Sequence, residues 1–369
     1  MTTSPAPTIA PDTKTGVLHT FHPAWFAAVM GTGVLSVAIY QNPGGISELK
    51  PITDPLSVAI LMLAYILAVL LGVPYLWRWF RHPAFAWKDL RHPILGAMYA
   101  TFPAGLLVLA IATANAGSLL FSKDIANTII VTLAMLGGVL AFLISLVFTY
   151  ILFTTPSINA EQVGGGWFIP PVVNILLPLA LAPLLETAGK DGARVLLVIS
   201  YAAWGIGIFL FILVAALLYA RMIYHALPAA HFAPSLWIGL APIGVGSIDL
   251  VRLAQKGAVI WGDQSQVILS ISSIAATAIW GFGLWWLPMA GLLLVRYLRQ
   301  GGLHFTLGWW AFTFPVGAFT VSTLALARQW KVDFMEWLGV GFFLLLVAFW
   351  LTVAIRTVTG IRTGEVWKR

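Results

Sequence analysis

The chain has 369 residues, of which 60% are hydrophobic and only 9% are charged. A soluble domain of this size needs more polar surface, so the composition indicates an all-α integral membrane protein with several spans. The formal net charge of +7 comes from Lys and Arg scattered between apolar segments, without the basic stripe of a nucleic-acid-binding protein. Cysteine is absent from the sequence, which excludes disulfides and thiolate metal sites.

The order of apolar and polar segments predicts three parts. Residues 1–20 are rich in Pro and Thr and predict a disordered cytoplasmic tail. Residues 21–358 predict a ten-helix membrane domain, and residues 359–369 predict a short basic cytoplasmic tail. The ten predicted spans are 21–41, 54–77, 94–116, 127–153, 167–187, 194–220, 234–254, 267–295, 304–326 and 335–356.

The distribution of positive charge predicts the orientation in the membrane. With the N-terminus inside, 12 of the 20 Lys and Arg fall on the inner side of the predicted spans and 8 on the outer side. The excess of inside charge favours two cytoplasmic termini. We therefore expect a multi-pass protein of the plasma (inner) membrane.

The five odd-numbered spans share one pattern, in which an interfacial Pro, His or Trp is followed about two turns later by a helix breaker. Eight residues rise about 12 Å, which places these breaks near the middle of a hydrocarbon core of about 30 Å. The pattern predicts five pseudo-repeated helical hairpins whose odd helices line a central pore. The five segments are FHPAWFAAVMGTG, HPILGAMYATFPAG, WFIPPVVNILLPLA, APSLWIGLAPIGVG and FTLGWWAFTFPVGAF.

The breaks also predict what lines the pore. A backbone carbonyl freed by a break needs water or a hydroxyl group, and the free N–H groups of a half-helix favour anions. The alternative is that the kinks only shape helix packing, and that Gly31 and Gly33 permit close helix contacts. The candidate pore-lining or helix-break residues are Gly31, Thr32, Gly33, Thr101, Pro103, Pro178, Pro242, Ser247, Thr313 and Pro315.

Charged residues are absent from the central thirds of the predicted spans, and the nearest ones are Asp249 and Arg252 at an outer end. One interpretation is a mutual ion pair near the interface. The other is that Arg252 attracts anions while Asp249 carries a coupling proton. The seven histidines lie near the predicted inner interface and form no metal-ligand cluster, so we expect no metal and no cofactor.

Three motifs carry a family resemblance: FHPAWFAAVMGTG, PSLWIGLAPIGVGS and GWWAFTFPVGAFTVSTLALA. They resemble the tellurite-resistance/dicarboxylate transporter family, which includes the fungal malic acid permease, the fungal sulfite efflux pump and the slow-type anion channels of plants. The resemblance implies a homotrimer in which each protomer has its own central pore. In the plant channels a phenylalanine before the span-9 proline plugs that pore. Thr313-Phe314-Pro315 matches this segment, so the resemblance implies that Phe314 is the gate.

The resemblance favours the malate permease and sulfite pump branch. It implies a transporter in the lipid bilayer and not an enzyme, with a C4-dicarboxylate such as malate as the first substrate and sulfite as the second. A passive chloride or nitrate channel of the slow-type or tellurite-resistance kind is the alternative. A membrane enzyme acting on a lipid or quinone is a remote one, since the sequence offers no catalytic carboxylate pair or histidine cluster.

Overall fold

The computed structural model describes residues 21–156 and 158–367. The tail predicted over residues 1–20 lies outside the described residues. Within them, ten helical segments are long and apolar enough to cross a membrane, which confirms the predicted number of spans. Spans 1 to 10 are Pro23–Tyr40, Ser47–Arg81, Leu95–Leu119, Lys123–Thr154, Gly165–Glu186, Gly189–Tyr224, Ala230–Lys256, Ala258–Arg299, Leu307–Trp330 and Asp333–Thr363.

The even-numbered spans are longer than the sequence predicts at both ends. An apolar run marks only the part of a helix within hydrocarbon, and backbone hydrogen bonding carries the helix on into the headgroup region. Span 10 therefore continues through residues 359–363, which the sequence assigns to the basic tail. Beyond it, the Trp367 ring packs on Trp25, with ring centroids 5.5 Å apart.

The ten spans form five hairpins around a ring. Each odd-numbered span packs against the even-numbered span that follows it, and spans 1, 3, 5, 7 and 9 contact one another in that order, with span 9 returning to span 1. In the most apolar window of each span, 78–94% of the residues are buried in the odd spans and 17–33% in the even spans. The odd helices therefore form the inner layer, and the even helices present the apolar outer surface to lipid.

Each odd-numbered span has two parts. It begins with a short leading segment, which is a 3-10 helix in four spans and a single α-turn, Leu95–Met98, in span 3. A longer α-helix then runs to the other end of the ring. These α-helices are Phe26–Tyr40, Thr101–Asn115, Ile169–Leu181, Leu240–Lys256 and Thr313–Trp330. Following the predicted orientation, we call the end with the leading segments the inner end and the opposite end the outer end.

Proline marks the start of these helices and does not break them. Pro103, Pro171, Pro242 and Pro315 each occupy the third position of an α-helix. The N–H groups of the first turn have no partner within an α-helix, so a proline there costs no helical hydrogen bond. The helix boundary consequently lies two residues before each of these prolines.

Three predicted break positions are wrong. Gly31 and Gly33 lie inside the continuous helix Phe26–Tyr40, and Pro178 lies inside the helix Ile169–Leu181. The glycines instead permit close packing, the alternative that the sequence left open. A Cβ built on Gly33 would lie 2.6 Å from Cγ1 of Val108 in span 3, too close for any side chain. In span 5 the boundary is at Ile169, two residues before Pro171.

At four of the five boundaries between leading segment and helix, the first N–H group of the helix has a partner. The N–H groups of Phe26, Ile169, Leu240 and Thr313 donate to carbonyl oxygens of their own leading segments. The leading segment thus uses the first donor that an isolated helix N-terminus would present to an anion.

Candidate functional site

A narrow apolar cavity lies on the axis of the ring, in its outer half. Each odd-numbered span contributes two aliphatic side chains three residues apart, which fall on the same face of a helix. The ten residues, which we call the apolar collar, are Val34, Val37, Val108, Ile111, Leu176, Leu179, Val245, Ile248, Ala318 and Val321. The cavity measures about 30 Å³, which is room for only about two water molecules. This conformation is therefore too narrow for a hydrated anion.

A second cavity of about 70 Å³ lies in the inner half of the ring. The leading segments and the first turns of the odd-numbered helices line it. Of the lining residues described, Phe314 alone lines both this cavity and the collar, and it is 5% exposed. The inner cavity is lined by Ala24, Ala27, Met30, Met98, Thr101, Ile169, Val172, Ser235, Ile238, Leu307, Gly308, Trp310, Ala311, Phe314 and Pro315.

The position of Phe314 follows from the local fold. It is the second residue of the helix Thr313–Trp330, directly before Pro315, so its side chain lies at the junction of leading segment and helix. Among the described residues its ring pairs with no other ring. Phe312, two residues earlier, packs on Trp237 and Phe349 with ring centroids 5.5 and 5.0 Å apart. Phe314 is thus placed between two cavities without the aromatic contacts that fix Phe312.

A larger cavity of about 280 Å³ opens at the outer end of the ring. It begins one helical turn beyond the collar, since Gln41, Arg252 and Ala325 follow Val37, Ile248 and Val321 by four residues each. Its lining is polar where the collar is aliphatic. We call this cavity the outer mouth; it is lined by Gln41, Val251, Arg252, Gln255, Ala325, Arg328 and Gln329.

Asp249 and Arg252 are close in sequence but form no ion pair among the residues that the structure describes. The predicted mutual ion pair is therefore wrong. Asp249 is fully buried, and neither of its carboxylate oxygens accepts a hydrogen bond from a described residue. The Arg252 side chain faces the outer mouth, where its Nη1 donates to Oε1 of Gln255 at 3.4 Å. The two side chains therefore have different surroundings, although residues three apart lie on the same side of a helix.

The predicted hydroxyl groups are committed to other partners. The hydroxyls of Ser247 and Thr313 donate to carbonyl oxygens of their own spans, both at 2.7 Å. Thr32 accepts a hydrogen bond from Nε1 of Trp350 in span 10 at 3.1 Å, and so faces away from the axis. Thr101 lines the inner cavity, but its hydroxyl donates to the carbonyl of Pro23 at 2.8 Å.

The predicted prolines are distributed between several environments. Pro315 lines the inner cavity, and Pro103 lines an apolar cavity between spans 2, 3 and 4. Pro178 and Pro242 are buried within the bundle. Gly31 packs against Thr313 and Trp310 of span 9. The ten candidate pore-lining or helix-break residues therefore include some that line the inner cavity and others that pack between neighbouring helices.

The collar and most of the outer mouth were missed by reasoning from the sequence. The odd-numbered helices are apolar on every face, so periodicity does not distinguish the face toward the axis from the faces toward other helices. A signal was nevertheless present, because aliphatic pairs three residues apart recur in all five odd-numbered spans. Arg328 and Gln329 lie just outside the predicted span 9, where charged and polar residues are ordinary.

Comparisons with known proteins agree with this architecture. A family model described as the voltage-dependent anion channel, SLAC1, matches residues 20–358. An uncharacterized transporter of Methanocaldococcus jannaschii is 33% identical over 358 residues, covering 97% of this chain and 98% of the relative.

Two named relatives are more distant. The sulfite efflux pump SSU1 of Trichophyton rubrum is 25% identical, covering 95% of this chain and 93% of the pump. The malic acid transport protein of Schizosaccharomyces pombe is 21% identical, covering 83% of this chain and 70% of the relative. These relatives and the family are named as transporters and channels, which agrees with an integral membrane protein that moves small anions and is not an enzyme. The chain therefore belongs to the SLAC1 voltage-dependent anion channel family, the tellurite-resistance/dicarboxylate transporter family that its motifs resemble.

Proposed function

We propose that this protein moves a small oxyanion across the membrane through the pore of its five odd-numbered helices, with Phe314 as the gate. Sulfite is the first substrate that we propose and a C4-dicarboxylate such as malate is the second. The observation that carries the proposal is the position of Phe314 between the inner cavity and the apolar collar.

The order of substrates rests on the two named relatives. The sulfite efflux pump aligns with 95% of this chain, and the malic acid transport protein with 83% at lower identity. The narrow collar favours the same order, because sulfite is smaller than malate. This reverses the preference that the motifs alone suggested.

The gate rests on geometry and on packing. A ring between two cavities closes the path in the present side-chain position, and its rotation toward the inner cavity would join them. Within residues 21–156 and 158–367 Phe314 has no ring partner, so this rotation breaks no aromatic contact there. The collar adds a second barrier, since a narrow aliphatic passage excludes water and thereby disfavours the passage of ions.

Asp249 and Arg252 supply the remaining parts of the proposal. We propose that Arg252 attracts the anion at the outer mouth. Asp249 follows the collar residue Ile248, is fully buried and lacks a hydrogen-bond partner among the described residues. Ionisable groups of this kind inside membranes commonly act as proton carriers, and we propose that role for Asp249.

The setting of the protein is likewise a proposal. The positive-inside rule supports cytoplasmic termini in the plasma (inner) membrane, and hence leading segments on the cytoplasmic side. The family resemblance supports a homotrimer. The ten-helix transport domain over residues 21–358 would then form one pore in each protomer.

A flux measurement tests this function. Purified full-length protein in liposomes should pass sulfite, and malate more slowly, when challenged in turn with chloride, nitrate, sulfite, malate and succinate. Repeating the series with and without a pH gradient separates proton-linked transport from passive flow. Chloride and nitrate flux equal to that of sulfite, with no response to the pH gradient, would favour a passive channel. That is the second candidate, which the family name suggests. Absence of flux for every anion would contradict the proposal.

A further inference from the structure

The outer mouth brings two guanidinium groups to one cavity, and their surroundings differ. Arg328 is fully engaged: its Nη2 donates to the carbonyl of Gln41 at 2.7 Å and to Oε1 of Glu336 at 2.8 Å. Its Nε donates to Oε2 of the same carboxylate at 3.3 Å, which makes the ion pair bidentate. Arg328 therefore has a carboxylate that balances its charge.

Arg252 has no such partner. No carboxylate of a described residue lies within 4.0 Å of its guanidinium, and its one hydrogen bond to a described residue is the 3.4 Å contact from Nη1 to Gln255. The groups Nε and Nη2 are left without acceptors in the described part of the chain. Glu336 balances the charge of Arg328, so the positive charge of Arg252 remains unbalanced in the mouth. An anion bound there would be attracted to Arg252.

One of the amides that line the outer mouth, Gln255, links Arg252 to span 9. Nε2 of Gln255 donates to Oε1 of Gln329 in span 9 at 3.0 Å, so the amide that accepts from Arg252 is itself held. On the opposite side of the mouth, Nε2 of Gln41 donates to Oδ1 of Asn115 in span 3 at 3.1 Å. Arginine recognises planar or trigonal oxyanions by donating two hydrogen bonds to them at once. The guanidinium of Arg252, with donors that have no acceptor among the described residues, suits this kind of binding.

We propose that the outer mouth is an oxyanion-binding site, in which Arg252 donates to the ligand and Gln255 and Gln329 hold Arg252 in place. The ligand class is a carboxylate or an oxyanion such as sulfite, in preference to a halide. This inference rests on the proposed function and extends it, since it places a binding site outside the gate. The collar begins one turn below, so an anion held here lies on the transport path.

Binding can be measured without transport. Isothermal titration of the purified full-length protein with sodium sulfite, sodium malate and sodium chloride at constant ionic strength should give the strongest binding for an oxyanion. Arg252→Gln should weaken sulfite binding about tenfold or more, the usual cost of losing hydrogen bonds to a charged group. Arg252→Lys should recover only part of the loss, because an ammonium group cannot donate as a planar fork.

The matched control is Arg194→Gln. Arg194 lies at the outer end of span 6, where its Nη1 donates to Asp191 at 2.9 Å, and its removal should leave sulfite binding unchanged. Gln255→Glu tests the site without removing Arg252, since the new carboxylate would occupy the free guanidinium and should also weaken sulfite binding. Sulfite binding that survives both Arg252→Gln and Gln255→Glu would overturn the site.

The two proposals fail in different ways. If the wild-type protein passes no anion in liposomes but binds sulfite through Arg252, the proposed transport is wrong and the site stands. If the wild-type protein passes sulfite while Arg252→Gln changes neither the binding nor the half-saturating concentration, the site is wrong and transport stands. Phe314→Ala should leave binding at the outer mouth unchanged, because the collar separates the gate from the site.

Discussion

Gly31 of span 1 packs directly against Thr313 of span 9, the residue that precedes the proposed gate. A Cβ built on Gly31 would lie 2.9 Å from Cβ of Thr313 and 3.0 Å from Cε3 of Trp310, and it would overlap the Thr313 hydroxyl. The closure of the ring between its first and last odd-numbered spans thus depends on a missing side chain. The same contact fixes the backbone from which Phe314 projects.

Gly31→Ala should therefore destabilise the protein. Overpacking of this kind costs about 1–3 kcal/mol, which should lower the midpoint of thermal unfolding in detergent. Gly341→Ala is the matched control, because Gly341 also lies within a helix but has nothing within 4 Å of the added methyl group. The control should unfold at the same temperature or higher, since alanine favours a helix by up to about 1 kcal/mol over glycine. Equal midpoints for the two variants would contradict close packing at Gly31.

A polar group in the apolar collar should increase flux. Val245→Thr keeps the shape of a collar residue while adding a hydroxyl group that attracts water, so the cost of wetting the passage should fall. We expect a several-fold rise in sulfite flux into liposomes. Val316→Thr is the control, because Val316 is buried in span 9 but lines neither the collar nor the inner cavity. An equal rise in sulfite flux through Val245→Thr and Val316→Thr would contradict a barrier at the collar, because it would show that any added hydroxyl group in the helix bundle increases flux.

Replacement of Asp249 should separate proton coupling from anion passage. Asp249→Asn keeps the size of the side chain and removes its ability to exchange a proton. If Asp249 carries the coupling proton, uptake of sulfite should lose its dependence on a pH gradient, while exchange of sulfite across the membrane continues. Measurement of both modes in the same liposomes checks this. Unchanged dependence on the gradient would leave Asp249 without a role in coupling.

A buried ion pair at the inner end should be important for stability. Nη2 of Arg78 lies 2.6 Å from Oδ2 of Asp89, and its Nη1 donates to the hydroxyl of Tyr99 at 3.2 Å. Tyr99 in turn donates to the carbonyl of Ala86 at 3.0 Å. These bonds join span 2, the short helix Pro83–Leu90 and the leading segment of span 3.

Arg78→Met removes the buried guanidinium that pairs with the Asp89 carboxylate, and we expect a loss of about 3–5 kcal/mol of stability. The double replacement Arg78→Met with Asp89→Leu removes both charges and should unfold at a higher temperature than the single variant. Thermal unfolding in detergent checks the order. A double variant less stable than Arg78→Met would contradict the importance of the Arg78 guanidinium beside the Asp89 carboxylate.

Much of the fold follows from the sequence, because the membrane restricts the choices. Apolar runs of sufficient length must be helices, and the proline pattern distinguishes odd from even spans. The exact role of the prolines could not be predicted, since a proline in the first turn of a helix and one in its interior look alike in a continuous apolar run. Pro171 and Pro178 illustrate this, as either could have marked the boundary in span 5.

The site was predicted less completely than the fold. The resemblance identifies Phe314. Its place between two cavities depends on which face of the span-9 helix is turned toward the axis, and a helix that is apolar on every face gives no pattern that predicts this. Arg252 and Asp249 were noticed because charge is rare in the spans. The placing of Arg252 at the outer mouth depends on its link through Gln255 to span 9, which no local pattern contains.

The most direct test of the proposed gate is the flux of sulfite through Phe314→Ala in liposomes, compared with the wild type and with Phe312→Ala. Removal of the gate ring should raise flux about tenfold or more, equivalent to a barrier lower by about 1.4 kcal/mol. Phe312→Ala removes a ring of the same size that packs on Trp237 and Phe349, and it should lower stability without raising flux. Flux through Phe314→Ala equal to that of the wild type would contradict the assignment of Phe314 as the gate.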